Sequence, residues 1–96
     1  MIRHIVMWKF KEGEEENMMR FRERLLALGK ELPEVRSMEV GINICPSERS
    51  YDAVLVSEFA SMEDLASYQQ NPRHLEISAF CKSIRTASAA DRKSVV

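Results

Sequence analysis

Neither sign of charge is in excess in this 96-residue chain: 14 Lys and Arg stand against 15 Asp and Glu, a net charge of −1. That leaves no basic field for a phosphate backbone and no polyanionic character, so no nucleic-acid partner is expected. No run reaches 18 uninterrupted apolar residues, so a membrane-spanning helix is excluded and no membrane partner is expected. The opening MIRHIVMWKFKEG is apolar only in alternation and soon meets Lys9, Lys11 and Glu12. It lacks the continuous apolar core of a signal peptide, and a cytoplasmic protein is expected. The three glycines do not cluster, which removes any Gly-rich phosphate loop, and no serine sits in a nucleophile elbow. Cysteine is scarce too. Cys45 and Cys81 form no CxxC and have no His at zinc-ligand spacing, so they read as two buried thiols in a reducing compartment. Neither a metal nor a cofactor is expected. The length predicts one domain over residues 1–96.

What is present is periodicity. Residues 2–10 alternate, with Ile2, His4, Val6, Trp8 and Phe10 on one face and Arg3, Ile5, Met7 and Lys9 on the other, which predicts a strand. Gly13 breaks it, and Glu14, Glu15 and Glu16 crowd the positive end of the helix that follows. Met18, Phe21, Leu25, Leu28 and Leu32 recur at steps of three and four, one apolar stripe that Pro33 closes. A second strand is expected over residues 35–44, and CPSERS connects it to a third, YDAVLVSEF. The VLV centre of that segment predicts a strand buried on both sides.

Ser61 caps a further helix that ends where Asn71 precedes Pro72, because a residue before proline is pushed out of the helical region. Another helix follows over about residues 73–84. The tail RTASAADRKSVV is poor in strand formers, and a short strand is placed near residues 86–91 to complete the pattern. The order is βαββαβ with the second helix broken in two. Right-handed connections put both helical layers on one face of a four-stranded sheet. The other face, bearing Ile5 and Met7, is then bare and apolar, so a homodimer packed through it is expected.

The candidate chemistry sits around the break. His74 shares a helical stripe with Ile77 and Cys81 and is expected to point inward, either as a general base or as a core histidine bonded to a backbone carbonyl. Tyr68 can orient a carbonyl oxygen or simply form an amphipathic core edge with its hydroxyl in water. The proline re-aims the chain, so both side chains can converge on one cavity. His4 lies on the helix-facing side of its strand and needs a partner there, His74, Tyr68 or a backbone group. Trp8, Phe59 and Phe80 are expected as apolar walls. The six methionines read as core filler, with Met7 at the interface.

MIRHIVMWKFKEG, the leucine-striped helix ending in LPEV, VGIN, and SYDAVLVSEFASMEDLASYQQNPRH together resemble the stress-responsive A/B barrel (Dabb) family over residues 1 to about 85. The resemblance implies a ferredoxin-like α+β fold paired into a dimeric α/β barrel. It also implies that positions matching Tyr68, His74 and His4 line a cavity, as in a plant polyketide cyclase of that family, where the Tyr and the first His serve an aldol-type ring closure. Where that enzyme has a further His on the third strand, this chain has Ala53. The expected function is therefore a small dimeric protein with an apolar cavity for a small-molecule ligand. It would carry out cofactor-free acid–base chemistry on a carbonyl compound, with His74 and Tyr68 catalytic. The alternative is a non-catalytic stress-response or ligand-binding dimer whose histidines are structural.

Overall fold

The computed structural model describes residues 1–95. Its elements run β1 (Ile2–Phe10), α1 (Glu15–Glu31), β2 (Ser37–Ile42), β3 (Ala53–Phe59), α2 (Met62–Gln70), α3 (Pro72–Ile84) and β4 (Arg85–Ser94). The sheet is antiparallel in the order β2-β3-β1-β4, the ferredoxin-like arrangement, with β1 central. The helices cover one face. Against it pack Trp8, Val40, Ala53, Leu55 and Phe59 of the strands and Phe21, Leu25, Leu28, Leu65, Tyr68, Ile77, Cys81 and Ile84 of the helices.

Each helix end has a local cause. The Ser61 hydroxyl accepts from Asp64 N at 3.2 Å, which satisfies one of the orphan donors of α2. Asn71 then serves two helices. Its backbone N–H donates to Tyr68 O at 3.2 Å and closes α2, while its side-chain oxygen accepts from Arg73 N at 2.9 Å and opens α3. Pro72 occupies the first turn of α3, where its missing N–H costs nothing.

Four expectations need correction. β4 spans Arg85–Ser94, longer than the short strand placed at 86–91, because it pairs along the whole of β1 from Ile2↔Ser94 to Phe10↔Arg85. Edge pairing to a central strand overrides the weak propensity of its Ala and Ser residues. β3 is not buried on both sides in the single chain: Ala53, Leu55, Ser57 and Phe59 are buried, whereas Val54 and Val56 face the uncovered side and are partly exposed. Cys45 is exposed in the β2–β3 connection, so the chain has one buried thiol, Cys81. Met1, Met7, Met19 and Met62 are exposed, which leaves Met18 and Met38 as the methionines packed on the core.

The uncovered face has a layered composition. Ile5, Met7, Val54 and Val56 meet in register at its centre, continued by Ala87 and Ala89 of β4. At one end Arg3, Ser37 and Glu58 form a hydrogen-bonded group, and Asp91 pairs with Lys93. An apolar centre with a polar rim is the usual anatomy of a protein–protein contact.

Candidate functional site

Between sheet and helices lies a cavity of about 200 Å³. Its floor is His4, Val6 and Trp8 of β1 with Leu55 of β3; its roof is Phe21 and Leu25 of α1, Tyr68 and Gln69 at the end of α2, and His74, Ile77, Ser78 and Cys81 of α3. Ser88, Ala90 and Arg92 of β4, together with Arg85, complete the wall. On β4 the helix-facing positions Ser88, Ala90 and Arg92 are exposed, because no helix reaches over the edge strand, and the cavity opens there. A larger hollow of about 300 Å³ lies between the β1–α1 turn and the β2–β3 loop. It is lined by solvated charges such as Lys11, Glu12 and Glu14, and holds no buried polar atom without a partner.

The break at Asn71-Pro72 brings the two residues around it together. The rings of Tyr68 and His74 lie 4.4 Å apart between centroids, tilted by 51°. His74 Nδ1 is 3.2 Å from Gln69 O. A carbonyl can only accept, so Nδ1 carries the proton and Nε2 keeps its lone pair. Burial lowers the His74 pKa from its ordinary value, and the Gln69 carbonyl opposes this only in part. The neutral, Nε2-basic form is thus the one present near neutral pH.

Tyr68 is fully buried, and its hydroxyl has no hydrogen-bond partner among the described residues, so of the two readings of this residue the one with its hydroxyl in water does not hold. Burial raises its pKa well above the ordinary phenol, so it remains a proton donor. His4 Nδ1 is likewise buried and unpartnered, so the pairing expected with His74, Tyr68 or a backbone group is not made by that nitrogen. Burial first, then the charge of Arg92 and the proximity of His74, push the His4 pKa down to about 4. Buried unpaired polar groups each cost about 1 to 3 kcal/mol. Two such atoms belong to residues that line this one cavity.

His4, Trp8, Tyr68 and His74 therefore converge on one cavity, but Phe59 and Phe80 are not on its wall. Phe59 stands behind Tyr68, ring centroids 5.3 Å apart, because its β3 position lies a layer beyond the cavity floor. Phe80 faces away on α3, with the Arg24 guanidinium 4.7 Å over its ring. Reading the sequence by residue type missed Ser78, Arg85, Ser88, Ala90 and Arg92. The one available signal was the parity of Ser88, Ala90 and Arg92 along β4, and the strand placed at 86–91 stops one residue short of Arg92.

No helix among the described residues is long and apolar enough to cross a membrane. No curated protein matches the sequence significantly. Solved structures do share the fold. A dimeric ferredoxin-like protein of unknown function from Bacteroides fragilis superposes with a TM-score of 0.87 at 26% identity, over 98% of this chain and 95% of that one. A Dabb family protein from Mesorhizobium loti gives 0.82 at 18% identity, over 99% and 96%. The hydroxynitrile lyase of Passiflora edulis gives 0.87 at 17% identity, over 99% and 93%. At such identities the last two likenesses speak for the fold alone. The sequence profile of the stress responsive A/B barrel domain matches residues 2–94, nearly the whole of the described chain, and the protein belongs to that family.

Proposed function

We propose that the protein is a homodimer that binds a small carbonyl compound in the cavity of each subunit and exchanges a proton with it without a cofactor. The observation that supports this best is the unpartnered Tyr68 hydroxyl beside His74, whose Nδ1 is tied to Gln69 and whose Nε2 is left basic. In this reading Tyr68 donates a hydrogen bond to the carbonyl oxygen. His74 Nε2 takes a proton from the neighbouring carbon, and the electron pair of the broken C–H bond moves toward the oxygen as an enolate. His4 gives the ligand a second polar contact, and Trp8 an apolar wall.

Deuterium uptake by phenylacetone, whose benzylic protons flank a carbonyl, tests the reaction class without knowledge of the natural substrate. The wild type is expected to accelerate exchange, and His74→Ala to lower that rate by about 10² or more. Tyr68→Phe should also slow exchange, yet leave the fold as stable as wild type or about 1 kcal/mol more so, since it removes a buried unpaired group. Exchange at the rate of buffer in the wild type would sink the catalytic role. The Gln69–His74 bond, which would serve the helix break with or without a ligand, favours a second reading in that case: a binding dimer with structural histidines.

The face of Ile5 and Met7 is the proposed dimer contact, supported by its apolar centre and by the dimeric neighbour from Bacteroides fragilis. Met7→Asp is expected to convert a dimer to a monomer in light scattering after size exclusion, because it places an unpaired charge at the centre of the contact. A dimer unaffected by Met7→Asp and Val54→Asp would put the contact elsewhere.

A further inference from the structure

The cavity is more positive than the chain that builds it. The protein as a whole carries a net charge of −1, yet two arginines line the cavity, beside two neutral histidines, and no Asp or Glu does. Both arginines come from β4. Cross-strand pairing sets Arg92 opposite His4, on the helix-facing side of the sheet, and Arg85 lies at the other end of the same strand beyond the bulge at Lys9 and Phe10. Their charges reach inward: that of Arg92 is felt at His4 and that of Arg85 at the Cys81 thiol.

Neither guanidinium forms an ion pair among the described residues, although Asp91, next to Arg92 on the opposite face, feels its charge. Ion pairs join Arg3 to Glu58, Arg20 to Glu16, Arg73 to Glu31 and Lys93 to Asp91, and Arg85 donates only to the Ser88 hydroxyl, at 2.7 Å. The neighbouring β4 residues show that this is a matter of face. Lys93, on the opposite side of the sheet, has its carboxylate; Arg92 does not. Small side chains at Ser88 and Ala90 keep the space between the two guanidiniums open to solvent. A guanidinium fork matches carboxylate and phosphate oxygens with paired N–H bonds, so the two that flank this opening draw an anion to it.

We infer that the ligand is a carbonyl compound that also carries an anionic group, which sits at the β4 lip between Arg85 and Arg92 while the carbonyl reaches inward to Tyr68. This rests on the reading that the cavity binds a small carbonyl compound, and adds the ligand's charge and its direction of entry. The same pair selects against neutral compounds of equal shape. It also places the charged end near solvent, so no carboxylate has to be buried unpaired.

Benzoylformate and its methyl ester share shape and carbonyl, differ by one charge, and cannot enolise, so a titration of the two reads binding alone. Trp8 is the chain's single tryptophan and lines the cavity, so its fluorescence reports occupancy. In the wild type the acid is expected to bind at least tenfold more tightly than the ester, with an advantage that shrinks as salt rises. Arg92→Gln and Arg85→Gln should each weaken the acid about tenfold and leave the ester unchanged. Lys30→Gln makes the same change in net charge at the exposed end of α1, away from the cavity, and should alter neither. Arg92 is exposed, so its variant is expected to fold, and equal urea midpoints would establish that. Phenyl phosphate in the same assay tells which anion the lip prefers. Equal binding of acid and ester, or equal effects of Lys30→Gln and Arg92→Gln, would overturn the anion site while keeping the cavity. Failure of all three compounds to bind the wild type would overturn both.

Discussion

Lowering the pH from 7 to 4 is expected to cost the folded protein roughly 3 kcal/mol through His4 alone, whose pKa falls from the ordinary 6.5 to about 4. Burial is the main cause, and His4 is only 5% exposed, so solvent screens little of it. The folded state resists the imidazolium, whereas the unfolded chain takes up the proton near 6.5. Below that pH the unfolded state holds more protons, so stability rises with pH across the interval. It is complete above 6.5, drains away as the pH falls, and levels off near 4. His74, lowered for the same reason, adds to the loss in the same direction.

Urea unfolding at several pH values and fixed protein concentration measures this, the concentration being fixed because a dimer's apparent stability depends on it. His4→Leu should be nearly as stable as wild type at pH 7 or more so, since it removes an unpartnered polar group, and should be flatter toward pH 4. A constant difference between the two proteins at pH 7 and pH 4 would refute the assignment. The consequence for function is direct. His4 stays neutral throughout the physiological range, so in the proposed reaction it serves as a polar contact and His74 exchanges the proton.

Phe59→Ala is expected to cost about 3 to 5 kcal/mol, the usual range for truncating a buried phenylalanine. Phe59 is fully buried at the end of β3, paired with Ile2, and its ring supports Tyr68 at 5.3 Å. The hole left by its removal cannot close cheaply, since the sheet backbone holds one side and α2 the other. Beyond stability, Tyr68 loses the surface that aims it, so ligand binding should weaken as well, although Phe59 touches no ligand. Phe59→Leu, which keeps most of the volume, should cost less than about 1.5 kcal/mol and retain binding. Phe80→Ala gives the contrast. Half-buried at the margin of the core, with Arg24 over its ring, it should cost well under half as much as Phe59→Ala. Comparable losses for Phe59→Ala and Phe80→Ala in chemical denaturation would contradict the placement of the two rings.

Much of the architecture is legible in local patterns because burial imposes a period. The alternation of residues 2–10 assigns β1 and both of its faces, and the stripe from Met18 to Leu32 assigns α1. The Asn71-Pro72 dipeptide is legible for a stricter reason. Proline at the first turn of α3 and an asparagine cap in front of it permit few backbone arrangements, and those turn Tyr68 and His74 toward one another.

Tertiary structure alone decided the rest, wherever the deciding interaction is remote in sequence. The Ala and Ser residues of β4 carry no strand signal of their own; pairing with β1 makes the strand and reaches to Ser94. That pairing in turn brings Arg92 beside His4 and opens the cavity along β4, which no local pattern around either residue foretells. Phe59 and Phe80 look alike as apolar residues, and their distance from the cavity depends on the layer each occupies. The same holds for the unpaired state of Tyr68 and His4. Residue identity determined what bonds those groups can make, while the packing of sheet against helices determined that neither the Tyr68 hydroxyl nor His4 Nδ1 finds a partner among the described residues.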